Sequence, residues 1–245
     1  MSMARHLVWT SAAGSHVGMV RKVNEDAYLE LPEQGLWAVA DGMGGHKAGD
    51  VASQIIIDAL RQTTPVSSLE DFIAKVEERL WKANRRIQEE SAQHYNNRVI
   101  GSTVLVLLTY KDQSACLWVG DCRLYRLRNG QLRQLTRDHS YVQELIDGGM
   151  LKPEQAYGHP MANAITRAVG STEKLDIDML IFLLQAQDVF LLCSDGLYKT
   201  VTDDEIAGLL ACSDSAEMVK GLIDRALAKN ADDNVTAVVV KIDGS

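Results

Sequence analysis

No stretch of the 245-residue sequence reaches the roughly 18 uncharged apolar residues that span a bilayer. Its first residues, with Arg5 and His6, lack an apolar run of signal-peptide length. The expectation is a soluble, cytoplasmic chain without membrane contact. A cationic surplus is absent as well: 25 Lys and Arg face 33 Asp and Glu, a formal net charge of −8. Such a balance repels nucleic-acid phosphates and argues against that partner. Cys116, Cys122, Cys193 and Cys212 form no Cys-x-x-Cys pair. Three of them sit in apolar runs and read as reduced core residues of a cytosolic protein. No Pro-rich linker, low-complexity tract or internal repeat marks a second domain, so one domain over residues 1–245 is expected. What is present is 46% hydrophobic and 24% charged residues. That is globular composition with ample core material, and it excludes a disordered or fibrous chain.

Apolar runs rich in β-branched residues at 7–10, 27–31, 36–40 and 103–110 alternate with turn signals, as strands do. Residues 116–119, 122–128 and 131–135 read as an antiparallel meander, the last two runs joined by Asn129-Gly130, which suits a two-residue hairpin turn. Runs at 175–182, 189–193 and 235–242 complete the strands; the last two are apolar on both faces and are expected to be central. Helical patterns cover 51–62 and 69–90, the second with Ser68 as N-cap and Asp71 as capping-box partner. A second helical pair covers 203–210 and 216–229, with Asn230 placed to stop it. Strands, two helices, strands, two helices and a strand do not make a βαβ repeat. The pattern predicts an α+β fold: antiparallel sheets covered by helix pairs. Residues 139–170, with Gly148-Gly149, Pro153, Gly158 and Pro160, form the least regular stretch and are expected to be a flap.

Asp41 and Asp195 end apolar strands and Asp233 precedes one; Asp41 and Asp195 are each followed by glycine. An isolated Asp-Gly reads as a β-turn or helix cap, but three strand-end carboxylates can converge. At about 5 Å they would repel by about 3 kcal/mol per pair at an effective dielectric near 20, so they must protonate or hold cations. An oxygen-only ligand set selects hard Mg²⁺ or Mn²⁺ over zinc. Upstream, Arg21 precedes Glu25 and Asp26. In an extended chain the two acids point to opposite faces, one toward a metal and the other toward a water or the backbone, while Arg21 is able to fork onto a phosphate.

Taken together these residues resemble the metal-dependent protein phosphatase, or protein phosphatase 2C, family, in its bacterial branch. The resemblance runs through RKVNEDA (21–27), ADGMGGHKAGDVAS (40–53), residues 101–103, VGDCR (119–123), LTRDHS (135–140), HPMANAITRAVG (159–170), SDGL (194–197) and DDNVT (232–236). It implies a four-layer α-β-β-α sandwich with a binuclear Mn²⁺ or Mg²⁺ centre at one end. By motif position Asp41 would bridge both ions, Asp195 and Asp233 would complete the first, and the Gly42 carbonyl with Glu25 or Asp26 would hold the second, directly or through water. A bridging hydroxide would attack phosphoserine or phosphothreonine directly, without a phosphoenzyme, and Arg21 would hold phosphate oxygens. The resemblance further implies His46 as general acid, with His139 and His159 holding the flap. It places a weaker third ion at Asp138. The usual companion of Asp138 is an aspartate four residues after the Asp195 position; Lys199 stands there, and its ammonium would compete with the ion. Asp121 and Arg123 are expected to pin a strand end. Phosphorylated proteins, made by a bacterial Ser/Thr kinase, are the implied partners of a monomeric enzyme.

Two other readings share these residues. A metal-dependent phosphodiesterase or small-molecule phosphatase would use the same aspartates, but no base- or sugar-binding motif accompanies them. A signalling module without metals would need Asp41, Asp195 or Asp233 replaced, and all three are present.

Overall fold

The computed structural model describes residues 7–44, 48–96 and 98–244. Two antiparallel sheets lie face to face. In one, β1 (Leu7–His16), β11 (Val235–Gly244), β10 (Val189–Cys193), β7 (Arg123–Arg128) and β8 (Gln131–Gln134) follow in that order. The other is ordered β2 (Asp26–Leu31), β3 (Leu36–Met43), β5 (Val104–Tyr110), β6 (Gln113–Val119) and β9 (Asp178–Leu183), with β4 (Gly101–Ser102) paired to the end of β3. Helices α1 (Gly49–Arg61) and α2 (Leu69–His94) cover the second sheet; α5 (Asp203–Leu210) and α6 (Ser215–Ala228) cover the first. This is the expected α+β, four-layer sandwich.

The period-two pattern of the strands produces the layering. On β3, Leu36, Ala38 and Ala40 pack beneath α1 and α2, while Trp37 and Val39 enter the layer between the sheets. On β10, Val189, Leu191 and Cys193 face the second helix pair, while Phe190 and Leu192 face inward. Strands apolar on both faces must lie inside a sheet, and β10 and β11 do. Aromatic rings bridge the middle layer: Trp9 meets Trp37 edge-on at 6.1 Å, and Phe182 tilts on Phe190 at 5.4 Å.

The structure corrects several sequence expectations. Residues 116–135 are not one meander: β6 pairs with β5 and β9, whereas β7 pairs with β10 and β8. Between them Gly120, at φ +109°, packs where a Cβ would lie 2.5 Å from the Thr103 side chain, and the chain steps from one sheet to the other. Both sides of each strand are buried, so alternation along the sequence does not reveal the change of sheet. The Asn129-Gly130 hairpin is as expected, both residues having positive φ. Ser68 does cap α2, but the Asp71 carboxylate accepts from Ser67 N–H, one residue earlier than in a capping box. Within 139–170 the chain forms α3 (Tyr141–Asp147), capped by Ser140, and the segment closes on itself through Thr166 N–H to His139 O.

Asn84 anchors the stretch that follows this segment. Fully buried on α2, it accepts from Gly170 N–H at 2.6 Å and donates to Thr172 O at 2.9 Å. Asn84→Ala would leave both backbone groups without these partners, at a cost of about 2–4 kcal/mol. The expected result is a lower urea midpoint with an unchanged m-value; an unchanged midpoint would show that water replaces the amide.

Candidate active site

The acidic residues meet at one end of the two sheets. The β2–β3 register places Asp26 directly opposite Asp41. That register is set by the tight connection of residues 32–35, a 3-10 turn closed by Gly35 in the left-handed region. Asp195 opens the short helix α4 (Asp195–Tyr198) immediately after β10, and Asp233 lies two residues before β11. Asn234 ties the loops together. It donates to Val17 O and Val23 O, and it accepts from Glu25 N–H at 2.8 Å. The backbone of Asp41 is pinned by Thr103, whose N–H donates to Asp41 O and whose hydroxyl accepts from Asp41 N–H.

The glycines after Asp41 and Asp195 are needed for close approach, and neither has positive φ. A Cβ at Gly42 would lie 2.0 Å from Gly49 O, and one at Gly196 would lie 2.0 Å from Asn234 O. Each Asp-Gly therefore lets two backbone segments touch beneath the carboxylates.

Each carboxylate has a different environment. Asp26 Oδ2 accepts from the hydroxyls of Ser194 at 2.7 Å and Thr236 at 2.6 Å, while its Oδ1 is buried without a hydrogen-bond partner. Loss of solvent pushes the Asp26 carboxyl up to about 7; Asp195 and Asp233 add to that, against the two hydroxyls. Asp41 is driven well above the usual carboxylate range, first by burial and then by Asp26, Asp195, Asp121 and Asp233. Asp121, expected only to pin a strand end, belongs to the same charge cluster. It is buried, its carboxyl rises to about 7 through burial and Asp195, and Tyr198 Oη donates to its carbonyl at 3.0 Å. Glu25 points the other way, accepting from Gly49 N–H at 3.2 Å, with burial raising its carboxyl.

Cations stand at the rim. Arg21 donates to Asp233 Oδ2 at 2.7 Å, and this contact raises its guanidinium further. Lys199 donates to Asp195 Oδ2 at 2.5 Å. Asp138 is not a free ligand for a third ion: Arg123 Nε and Nη2 fork onto it at 2.7–3.0 Å, and Gln134 donates to its Oδ1 at 3.0 Å. Arg123 in turn stacks on Tyr198, 3.7 Å from the ring centroid. His46 lies outside the described residues. His139 is buried against Trp118, its Nδ1 accepting from Gly120 N–H and its Nε2 facing Asp178, so it holds the base of the 139–170 segment. The His159 ring meets Tyr141 at 6.0 Å within that segment.

Among the described residues, no three His, Cys, Asp or Glu side chains are already arranged as one ion's ligands; the acids are turned instead to hydroxyl, ammonium and guanidinium partners. The donor set still fits hard divalent ions. It is all oxygen, it is held together against its own repulsion, and it contains a buried oxygen, Asp26 Oδ1, with an unused lone pair. Alongside the acids opens a groove of about 730 Å³, lined by Arg21, Asp195 and Asp233 together with Gln143, Tyr157 and Asn163 of the 139–170 segment.

The raised carboxyls fix a pH dependence. Asp26 and Asp121 titrate at about 7 when folded and near 3.8 otherwise. Between these values the folded chain keeps protons that the unfolded chain has released, so stability falls as pH rises through the window. His139, lowered by burial, works in the opposite sense only toward acid pH. We expect EDTA-treated protein to melt lower at about pH 8 than at about pH 6.5, and Mn²⁺ to raise the melting temperature more at the higher pH. Equal melting temperatures at both pH values without metal would refute a shared desolvated site.

Known proteins are similar to this chain in sequence and fold. The family described as protein phosphatase 2C matches residues 14–238. The Serine/threonine protein phosphatase PstP of Mycobacterium tuberculosis is 37% identical over 236 residues, which are 96% of this chain and 45% of that protein. The chain thus spans under half the length of that relative. A structure of PppA, a key regulatory component of T6SS in Pseudomonas aeruginosa, is 46% identical, covering 97% of this chain and 99% of that one, with a TM-score of 0.90. The catalytic domain of PstP in complex with two manganese ions is 35% identical over 97% and 99% of the two chains, with a TM-score of 0.88. With a strand-end acidic cluster, a four-layer sandwich and a family match over most of its length, the chain belongs to the bacterial branch of the protein phosphatase 2C family.

Proposed function

We propose that this chain is a metal-dependent protein phosphatase that hydrolyses phosphoserine and phosphothreonine. The observation that carries the reading is the set of mutually repelling carboxylates, with a buried unpartnered oxygen, opening onto a groove that also presents Arg21. In this reading Asp41, Asp195 and Asp233, the Gly42 carbonyl and Glu25 or Asp26 would hold the two ions, directly or through water. When bound, two Mn²⁺ or Mg²⁺ ions would supply an activated hydroxide for direct attack on phosphorus, without a phosphoenzyme.

The chain's own residues provide the rest. Arg21 is half exposed and reaches the groove from Asp233, so its guanidinium is placed to receive phosphate oxygens as the substrate approaches an otherwise acidic site. Ser194 and Thr236 orient Asp26 and stabilise its ionised form, so that carboxylate is held ready for a cation. His46 is the assigned donor to the leaving alkoxide. Residues 139–170 form the flap over the groove, within one domain covering the chain. A third ion at Asp138 would have to displace Arg123 and Gln134, so the reading is of two ions. The substrates are phosphorylated proteins made by a Ser/Thr kinase, and the enzyme acts as a monomer in the cytoplasm. The buried free thiols of Cys116, Cys122 and Cys193 suit such a reducing compartment. Among the described residues, no helix is long and apolar enough to cross a membrane.

The test is hydrolysis of a phosphothreonine peptide. Activity should vanish with EDTA, return with Mn²⁺ or Mg²⁺, and fall by several orders of magnitude in kcat for Asp41→Asn. Full activity in metal-free buffer, or near-normal kcat in that variant, would overturn the reading.

His46 is tested separately by leaving group. A nitrophenolate departs without a proton, whereas a serine alkoxide needs one. His46→Ala should slow phosphoserine peptide hydrolysis about 10²-fold and p-nitrophenyl phosphate hydrolysis only a few-fold. Equal losses would make the residue structural.

A further inference from the structure

Lys199 has no part in the chemistry assigned above, yet it connects two parts of the site. It follows α4 directly, and its own N–H bonds Asp195 O at 2.9 Å, so one helical turn brings its side chain back over the Asp195 carboxylate. From there the ammonium makes two contacts: Asp195 Oδ2 at 2.5 Å and Asn163 Oδ1 at 2.8 Å. Asn163 lies in the 139–170 segment and, like Asp195, lines the groove. The side chain is 24% exposed, buried enough for a charge-assisted hydrogen bond to hold its geometry. The turn that carries Asn163 is built from short-range backbone bonds, Ala162 N–H to His159 O and Ala164 N–H to Met161 O. Met161 in the turn and Tyr157 before it are exposed and add little packing; Tyr141 N–H to Ala164 O holds the end of the turn, and the Lys199 ammonium ties its tip at Asn163.

We propose that Lys199 is a positioning residue: its ammonium straps the groove-facing turn of the flap to the Asp195 carboxylate, and so sets the width of the groove that receives the phosphorylated segment. The inference rests on the phosphatase reading only in naming what enters the groove. The strap works through three groups in line, a carboxylate, an ammonium and an amide oxygen, so removing either outer contact of the ammonium frees the turn. A small substrate that does not touch the flap is indifferent to it, whereas a peptide bound against the flap depends on it. An arginine at the same position keeps a cation able to reach both oxygens, and a neutral residue does not.

The experiment compares hydrogen exchange without and with Mn²⁺, and kinetics with Mn²⁺, using the wild-type chain, Lys199→Ala, Lys199→Arg, Asn163→Ala and the Lys199→Ala/Asn163→Ala double variant. Exchange at Ala162 and Ala164 should be about tenfold faster in each alanine variant, should rise no further in the double variant, and should return to within a few-fold of wild type in Lys199→Arg. Protection of the β10 and β11 amides reports that each variant is folded. In the same proteins KM for a phosphothreonine peptide should rise several-fold in the alanine variants with little change in kcat, and in Asn163→Ala, which leaves the Lys199–Asp195 contact in place, KM for p-nitrophenyl phosphate should change much less. Unchanged exchange in both single alanine variants would overturn the strap, as would additive effects in the double variant. Absence of phosphatase activity in every protein, wild type included, would instead overturn the functional reading and leave the exchange result standing.

Discussion

Asp26 and Asp41 face each other across a single antiparallel pair, and everything at that end of the molecule answers to the repulsion between them. Neither carboxyl is able to move away, because each belongs to a strand whose register is set by the core. Asp195 and Asp233 enter from the other sheet, so stacking the two sheets is what completes the cluster. Burial and like charge both raise the carboxyls, and a fold that gathers such groups is stabilised by whatever neutralises them. The apolar layers supply the free energy that holds the acids together. Cations recover part of the electrostatic cost.

The scaffold under the cluster is correspondingly dense in backbone contact. Gly42 and Gly196 allow strand ends to touch neighbouring loops, and Asn234 satisfies three backbone groups from residues 17–25 with one amide. Ser53 closes the same region by donating to Glu25 O at 2.6 Å. Apart from the Gly42 carbonyl, none of these groups needs to meet a ligand. They hold carboxylates in place against their own repulsion, which loosely packed loops would not do.

The layer order was legible in the sequence because alternating apolar residues assign each strand face to a layer, and runs apolar on both faces mark β10 and β11 as interior. Asp41, Asp195 and Asp233 were legible for a related reason: a carboxylate ending an apolar run has few structural uses. Asp121 carries the same signal, following the apolar run 116–119 through Gly120, but its place with Arg123 in one short Gly-Asp-x-Arg turn suggests a pair that pins a strand end. That arginine in fact goes to Asp138. The change of sheet between β6 and β7 left no trace, since residues buried on both sides look alike in either sheet. Ser194 and Thr236 were equally silent: small hydroxyl residues are common, and only the approach of β2 to the β10–β11 pair gives them Asp26 as a partner. The position of Lys199 was noticed from a motif, but Asn163 lies 36 residues away and no periodicity connects them.

Three cation–carboxylate pairs ring the cluster, and their exposure separates their roles. Arg123 and Asp138 are 18% and 7% exposed and are joined by a fork, with the guanidinium stacked on Tyr198. Breaking that pair would strand a buried charge, so it is a structural joint. Arg21 and Asp233 are 54% and 33% exposed, and a pair so open to water is worth at most about 1 kcal/mol. Its guanidinium would therefore give up the carboxylate for a phosphate at little cost, as the proposed role of Arg21 requires. Lys199 with Asp195, at 24% and 14%, falls between these limits: buried enough to hold its geometry, and near enough to the rim to reach Asn163. The same electrostatic bond thus suits a joint, the proposed strap or the proposed anion receptor according to how much water reaches it.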